Sequence, residues 1–276
     1  MDEVLSVSGL SKRYGRGCPA CYAMTGPQFE TNICPQCGSV VAAHDVSFNL
    51  YQGEILGIMG ESGSGKSTAV KCLYFDEEPS MGSAQFFDQG MAYQLFDLNK
   101  AQQRRLANQR FGMVYQNPHL GLNFDISAGG NIAERLLMSN ADNYKQIRQR
   151  AVSLLSRTEV LTERMDEMPR NFSGGMQQRV QIAKALATNP PLLFLDEVTT
   201  GLDLSVQAAI LDLILEIQQQ SRTSMIVVTH DLGVIRLLAD RTLVMKYGRV
   251  IESGLTDQIL EDPQHAYTQR LVASAL

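Results

Sequence analysis

Two groups of residues have types and spacings that predict chemistry: a glycine-rich loop and a set of paired cysteines. The loop, GESGSGKS at residues 60–67, fits G-x-x-x-x-G-K-[ST] at every fixed position. Glycines allow a backbone to wrap around a phosphate with its N–H groups pointing inward, and a following helix adds its N-terminal dipole. We expect Lys66 to reach the β- and γ-phosphates of a nucleotide and the Ser67 hydroxyl to bind Mg²⁺.

The surroundings of this loop favour a phosphate site over a chance glycine-rich turn. The apolar run at residues 55–60 precedes it and TAVKCLY follows it, which gives the strand–loop–helix context that the motif requires. A second apolar run, residues 192–197, ends in Asp196 and Glu197. We expect Asp196 to hold Mg²⁺ through water and Glu197 to polarise an attacking water as a general base.

Four cysteines, Cys18, Cys21, Cys34 and Cys37, give the spacing C-x₂-C-x₁₂-C-x₂-C. Four thiolates on two tight turns predict a tetrahedral sulfur site, for which Zn²⁺ is the expected ion. Iron, an iron–sulfur cluster and a metal-free redox loop are the alternatives. Because about 28 residues cannot bury a core alone, the metal would fold this segment. The fifth cysteine, Cys72, lies in an apolar helical context and is predicted to be a core thiol.

The composition excludes several classes of protein. The chain has 276 residues, a net charge of −5 and a pI of about 5.4, so nucleic acid is not favoured as a partner. The N-terminus, MDEVLSVSGL, is acidic and lacks the apolar region of a secretory signal. No apolar run approaches the roughly 18 residues that span a bilayer. We therefore expect a cytoplasmic protein without direct membrane insertion.

The pattern of apolar residues along the rest of the chain predicts an α/β fold, which would position these residues. Strands are predicted at residues 4–10, from 46, and at 55–60, 191–197 and 224–231, and a hairpin over TLVMKYGRVIESG turns at Tyr247-Gly248. Helical periodicity dominates residues 117–170, and SVQAAILDLILEIQQQ predicts a further helix.

The segment Asn171-Phe172-Ser173-Gly174-Gly175-Met176-Gln177-Gln178-Arg179 resembles the signature motif of the ATP-binding-cassette (ABC) ATPases. This resemblance covers nearly the whole chain except residues 16–42. It implies one ABC nucleotide-binding domain over 1–276 with a RecA-like parallel sheet core, an antiparallel β subdomain and a helical subdomain at 117–178. Residues 16–42 would be a zinc-knuckle insertion in that P-loop NTPase fold.

The resemblance also implies roles for single residues. Tyr14 would stack on adenine, Gln116 would be the Q-loop glutamine and a Mg²⁺ ligand, Asp203 would belong to the D-loop, and His230 would contact the γ-phosphate. The catalytic set would be Glu197, His230, Gln116 and Lys66. The ATP-binding set would be Tyr14, Gly60, Glu61, Ser62, Gly63, Ser64, Gly65, Lys66, Ser67, Thr68, Asp196, Ser173, Gly174, Gly175 and Asp203. The family usually has proline after the catalytic glutamate, where this chain has Val198; hydrolysis is still expected because the carboxylate is intact.

The resemblance further implies partners. Two cassettes would pair head-to-tail, as a homodimer or with a second ABC subunit, so that Ser173 and Gly175 act on the partner's ATP. The segments SAGGNIAERL and VVTHDLGVIRLLADRTLVMKYGRVIESGLTD are similar to the branch that serves the carbon–phosphorus lyase system of phosphonate breakdown. This branch implies docking on soluble lyase core subunits. The alternatives are the ATPase subunit of an oligopeptide or metal importer and, less favoured by the acidic pI, an ATPase acting on nucleic-acid complexes.

The cysteine insertion lies in a surface loop after Tyr14, where insertions are tolerated. We expect it to be a docking element for a protein partner or the second cassette. The alternative is a loop stabiliser with no partner.

Overall fold

The computed structural model describes residues 2–139 and 143–274. The strands are β1 (Glu3–Tyr14), β2 (Val40–Tyr51), β3 (Ile55–Met59), β4 (Met81–Asp88), β5 (Met91–Gln94), β6 (Phe111–Val114), β7 (Leu192–Asp196), β8 (Ser224–Thr229), β9 (Arg241–Lys246) and β10 (Arg249–Leu255). The helices are α1 (Lys66–Leu73), α2 (Lys100–Gln109), α3 (Pro118–Gly121), α4 (Ala128–Met138), α5 (Tyr144–Arg157), α6 (Gly174–Ala185), α7 (Leu204–Ser221), α8 (Leu232–Leu238), α9 (Thr256–Glu261) and α10 (Ala266–Ala273).

The chain divides into two compact units. Unit 1 comprises Met1–Lys100 and Ile226–Leu276, and unit 2 comprises Ala101–Met225. Residues 140–142, inside the helical region predicted at 117–178, and the chain's terminal residues Met1, Ala275 and Leu276 lie outside the described residues. Among the described helices, none combines the length and apolar character needed to cross a membrane.

Unit 1 contains an antiparallel sheet with the strand order β2-β1-β4-β5. In β1, Leu5 and Val7 are buried and Ser6 between them is half-buried, as expected for a strand with one face on a core. In the same unit, β3 and β9 form a parallel pair, and β9 and β10 form an antiparallel pair. All five residues of β3 are buried, as expected for a strand covered on both faces.

The predicted hairpin turn between β9 and β10 is confirmed. Lys246 pairs with Arg249, so Tyr247 and Gly248 alone make the turn. Both have positive φ, 46° and 79°, which is the geometry of a type I′ turn. The turn lies against the phosphate loop, because the Gly248 N–H donates to Ser64 O at 2.9 Å.

Unit 2 is built from the parallel pair β6–β7 and mainly helical segments. Phe111 of β6 and Phe194 of β7 meet edge-to-face with ring centroids 5.7 Å apart. The buried Arg135 of α4 donates to the carbonyl oxygens of Ala107 and Phe111 and, at 2.9 Å, to Asn108 Oδ1. This guanidinium therefore ties α4 to the segment that enters β6.

Two of the differences between the sequence-based predictions and the structure concern the antiparallel sheet. β2 begins at Val40, six residues before the predicted start at Val46, because residues 40 and 41 already pair with the end of β1. The strands β4 and β5 were not predicted as segments. Their residues are mostly exposed or half-buried, so the apolar alternation that reveals a strand is weak there.

Candidate nucleotide-binding residues and the four-cysteine cluster

The phosphate loop connects β3 to α1 in unit 1. Lys66 is the first residue of α1, and Gly65 caps the helix with a φ of 103°. A Cβ at Gly65 would come within 1.9 Å of the Ala42 carbonyl oxygen, so only glycine fits at this position. The loop is therefore wrapped closely against the start of β2.

Lys66 is buried inside this loop. Its Nζ donates to the carbonyl oxygens of Gly60 and Glu61 at 2.7 and 2.9 Å. The Ser64 hydroxyl is also buried and has no hydrogen-bond partner among residues 2–139 and 143–274. A buried ammonium at a helix N-terminus with glycines around it is an arrangement suited to an anionic phosphate. The remaining loop residues of the predicted ATP-binding set are exposed at Glu61, Ser62 and Gly63 and half-buried at Ser67 and Thr68.

Two further predicted residues lie in unit 1. Tyr14 ends β1 and is 38% exposed, which leaves its ring accessible for stacking. His230 follows β8 directly and is exposed. The next residue, Asp231, caps α8 by accepting from Gly233 N–H and Val234 N–H. The roles of Tyr14 and His230 remain predictions.

Tyr267 was not identified from the sequence as part of the phosphate site. Its hydroxyl accepts a hydrogen bond from the Glu61 N–H at 3.1 Å, and its ring is buried. Lys246 Nζ lies 4.6 Å from the centre of the same ring. The C-terminal helix α10 therefore supports the phosphate loop. The contacting residues are 206 positions apart, so a local sequence pattern does not predict this contact.

Unit 2 brings Gln116, Asp196 and Glu197 together. Asp196 ends β7 and is buried, and Glu197 follows it with a φ of 48°. Gln116 Nε2 donates to Glu197 Oε2 at 2.9 Å, and Thr200 Oγ1 lies 3.2 Å from the same oxygen. Val198, which stands where the family usually has proline, is buried.

The signature segment and the predicted D-loop residue lie at two neighbouring helix starts. Ser173 caps α6 by accepting from the Met176 N–H at 3.4 Å, and the next residue, Gly174, is exposed. Asp203 caps α7 through Ser205 N–H and Val206 N–H. A Cβ at Gly175 would meet Val206 Cγ1 at 2.8 Å, so the glycine allows the two helices to approach closely.

Gln181 of α6 was also missed by the sequence reasoning. Its Oε1 accepts from the Tyr115 N–H at 2.5 Å, and its Nε2 donates to the Tyr115 carbonyl at 3.2 Å. Gln178 donates to the same carbonyl at 3.3 Å. Both side chains are buried, so the signature helix fixes the backbone immediately before Gln116.

The four cysteines predicted to bind a metal meet in unit 1. Their sulfurs all lie within 4.8 Å of one another, and the separations are 3.7 Å for Cys18–Cys21, 3.6 Å for Cys18–Cys34 and 3.4 Å for Cys21–Cys37. A tetrahedral zinc site with Zn–S bonds of about 2.3 Å places its sulfurs about 3.8 Å apart. The donor set and its spacing therefore fit Zn²⁺.

The environments of the thiols differ. A contact with Ser39, whose Oγ lies 3.3 Å from the sulfur, lowers the pKa of Cys37 to about 6. Desolvation raises the pKa of Cys18 to about 12. Burial likewise raises the pKa of Cys72 to about 12, which fits the predicted core thiol.

Comparison with known proteins agrees with this geometry. The family described as ABC transporter matches residues 43–200. The chain is 50% identical over 232 residues, 84% of its length and 90% of the relative's, to PhnK of Escherichia coli (strain K12), which is named for phosphonates utilization and ATP binding. It is 40% identical to the oligopeptide transport ATP-binding protein OppD of Bacillus subtilis (strain 168), covering 86% of this chain and 67% of the relative.

A solved structure gives the same fold. The ATP-binding cassette MJ0796, described as a dimer in a post-hydrolysis state with ADP and Pi, superposes with a TM-score of 0.77 at 27% identity, covering 91% of this chain and 98% of that one. The predicted fold class and the predicted ATPase class are thereby confirmed. The chain belongs to the ABC transporter family as a PhnK-like ATP-binding-cassette ATPase.

Proposed function

We propose that this ATPase is a cytoplasmic subunit that drives remodelling of a soluble carbon–phosphorus lyase complex in phosphonate breakdown. The observation that carries the proposal is the degree of identity to the relative named for phosphonates utilization, which exceeds the identity to the peptide-transport relatives. Opening and closing of a cassette dimer is a mechanical step that could rearrange a bound partner.

The proposed chemistry assigns each predicted residue a task. Lys66 and the N–H groups of the phosphate loop would hold the β- and γ-phosphates of ATP, and Tyr14 would stack on adenine. Glu197 would accept the proton of the attacking water, and the amide of Gln116 would orient its carboxylate. His230 would donate to the γ-phosphate. Mg²⁺, bound by Ser67, Gln116 and Asp196, would neutralise the charge that develops on the transferred phosphoryl group.

We further propose that two copies, or one copy and a second ABC subunit, sandwich ATP between the phosphate loop of one and the signature of the other. Ser173 caps α6, whose first N–H groups have no partner within the helix, so this helix start suits a γ-phosphate. The dimeric ATP-binding-cassette neighbour supports this arrangement.

Zn²⁺ is the ion we propose for the four cysteines. The support is the all-sulfur donor set and the agreement of its spacing with a tetrahedral site. Iron remains the alternative, which metal analysis of the purified protein distinguishes.

A second candidate function is the ATPase subunit of a peptide importer. Its support is the group of peptide-transport relatives that share between a third and two fifths of their residues with this chain.

One experiment separates the two candidates. The tagged protein is purified from its own host after detergent extraction, and the co-purifying chains are identified. Soluble lyase core subunits without membrane-spanning chains are the expected result. Polytopic membrane proteins in their place would replace the proposal with the importer.

A further inference from the structure

The segment that follows the cysteine cluster in the chain contacts the phosphate loop. Here the knuckle denotes residues 16–42. Its exit is a paired segment, because Cys34 N–H donates to Ser39 O at 2.8 Å and Val41 N–H donates to Asn32 O at 2.8 Å. The segment that carries Cys34 therefore fixes the start of β2.

This exit segment touches the phosphate loop at two points. The Ala42 carbonyl is the group that a Cβ on Gly65 would strike at 1.9 Å. Asn32 Nδ2 donates to the Gly63 carbonyl, at the longer distance of 3.4 Å. The backbone on either side of Ser64 is thus in contact with the knuckle and the strand that leaves it.

A second path runs through the β9–β10 turn. Arg249 Nη2 donates to the carbonyl oxygens of Tyr22 and Thr25 in the knuckle, at 2.7 and 3.2 Å. The preceding residue, Gly248, donates its N–H to Ser64 O at 2.9 Å and accepts from the His44 N–H at 2.7 Å. Arg249 therefore links the first half of the knuckle to the turn that holds the phosphate loop.

The knuckle has little apolar burial of its own. Its small core consists of Cys21, Cys34 and Val41, with Cys18 and Tyr22 packed against them. Two of these three buried residues are themselves proposed ligands, so the energy of metal binding is the main source of order available to the segment. Loss of the metal would release the carbonyls that Arg249 binds and the amide of Asn32.

We propose that the knuckle is a positioning element of the nucleotide site: metal on the four cysteines holds the phosphate loop through Asn32 and Arg249, and metal and nucleotide bind cooperatively. This inference rests on the proposed Zn²⁺ site and goes beyond it by giving the ion a role in ATP binding. By thermodynamic linkage, the factor by which metal strengthens nucleotide binding equals the factor by which nucleotide strengthens metal binding.

The test uses the full-length protein in two measurements, after metal analysis has established its zinc content. The affinity for a fluorescent ATP analogue is measured with the protein zinc-loaded and zinc-stripped, in excess Mg²⁺. The apparent affinity for Zn²⁺ is then measured by competition with a chromophoric chelator, with and without Mg-ATP. We expect zinc to raise the affinity for the nucleotide about tenfold and Mg-ATP to raise the affinity for Zn²⁺ by the same factor, within the range of 5- to 150-fold typical of coupled sites. Lys66→Ala protein controls for chelation of Zn²⁺ by ATP itself, because at an ATP concentration below the Kd of this variant ATP should leave its zinc affinity unchanged.

Variants in which all four cysteines are retained distinguish a role in positioning the phosphate loop from a role in folding. The double variant Asn32→Ala, Arg249→Gln should keep one zinc per chain while the coupling factor falls to about one. The matched control, Gln28→Ala with Arg236→Gln, removes an exposed amide of the knuckle and an exposed arginine of unit 1 and should keep the full factor.

The outcomes are distinguishable. A protein that binds no metal would overturn the zinc assignment and this inference together. Stoichiometric zinc with the same nucleotide affinity before and after stripping would overturn this inference and leave the zinc assignment intact. Full coupling in the Asn32→Ala, Arg249→Gln variant would overturn the assigned path.

Discussion

Gln116 Nε2 donates a 2.9 Å hydrogen bond to Glu197 Oε2, and this contact joins the second residue after β6 to the first residue after β7. The two strands are parallel neighbours, so their carboxyl ends place both side chains at one edge. A carboxylate held by an amide is oriented without being neutralised, which suits a general base.

The first prediction concerns this carboxylate. Glu197→Gln keeps the shape of the side chain and removes its ability to accept a proton. We expect ATP turnover to fall by about 10²- to 10⁴-fold, the usual contribution of a general base, while ATP still binds. Steady-state phosphate release and equilibrium nucleotide binding measure the two quantities. Turnover at the normal rate would show that Glu197 is not the base.

The second prediction concerns Lys66. Lys66→Ala removes the charged donor of the loop, and charge-assisted hydrogen bonds contribute about 1.5–3 kcal/mol. We expect ATP affinity to fall by roughly 10- to 150-fold, measured by equilibrium titration. Lys71→Ala, on the same helix, is the matched control and should bind ATP normally. Unchanged binding in Lys66→Ala would refute the phosphate-loop assignment.

The third prediction concerns the support of the Q-loop by the signature helix. Gln181→Ala leaves the Tyr115 N–H without its side-chain acceptor and the Tyr115 carbonyl with one donor fewer. We expect a loss of about 1–3 kcal/mol in unfolding free energy, because both groups sit against a buried side chain. Turnover should fall together with stability, since Tyr115 precedes Gln116. Denaturant unfolding and ATPase assays measure the two effects.

The control for that variant is Gln146→Ala, an exposed glutamine of α5. It should change stability by no more than about 0.5 kcal/mol. A Gln181→Ala protein with wild-type stability and turnover would remove the proposed link between signature helix and Q-loop.

The fourth prediction concerns the C-terminal helix. Tyr267→Phe removes only the hydroxyl that accepts from the Glu61 N–H. A neutral hydrogen bond contributes about 1 kcal/mol, so we expect the KM for ATP to rise about fivefold with kcat nearly unchanged. Tyr144→Phe, at a tyrosine that is 74% exposed, should behave like the wild type. A drop in kcat alone would place the effect elsewhere than nucleotide binding.

The fifth prediction concerns the metal. Wild-type protein should contain one zinc per chain by elemental analysis, and a Cys34→Ser, Cys37→Ser double variant should contain none. Cys72→Ala removes a cysteine that lies in the core of unit 1 and should keep the full metal content. Iron in place of zinc would correct the identity of the ion, and metal retained by the double variant would refute the cluster as its site.

The sequence by itself determined the chemistry of this protein wherever function demands fixed residue types at short spacing. The phosphate loop, the acidic end of β7, the signature and the paired cysteines could all be read locally, because glycine, lysine, carboxylate and thiolate positions are set by the ligand. The Tyr247-Gly248 turn was predictable for the same reason, since only certain residues accept its dihedral angles.

Only the tertiary structure decided which distant residues support those motifs. Tyr267 against Glu61, Gln181 against Tyr115 and Arg249 against the knuckle join positions between 66 and 227 residues apart, and their side chains are of types common everywhere in a chain. The strands β4 and β5 were not predicted for a related reason, because the pairing of β4 with β1 and of β5 with β4, and not their own apolar pattern, makes them strands. Residue type and spacing indicate the local chemistry. The contacts that support the motifs depend on tertiary packing, which exists only once the chain has folded.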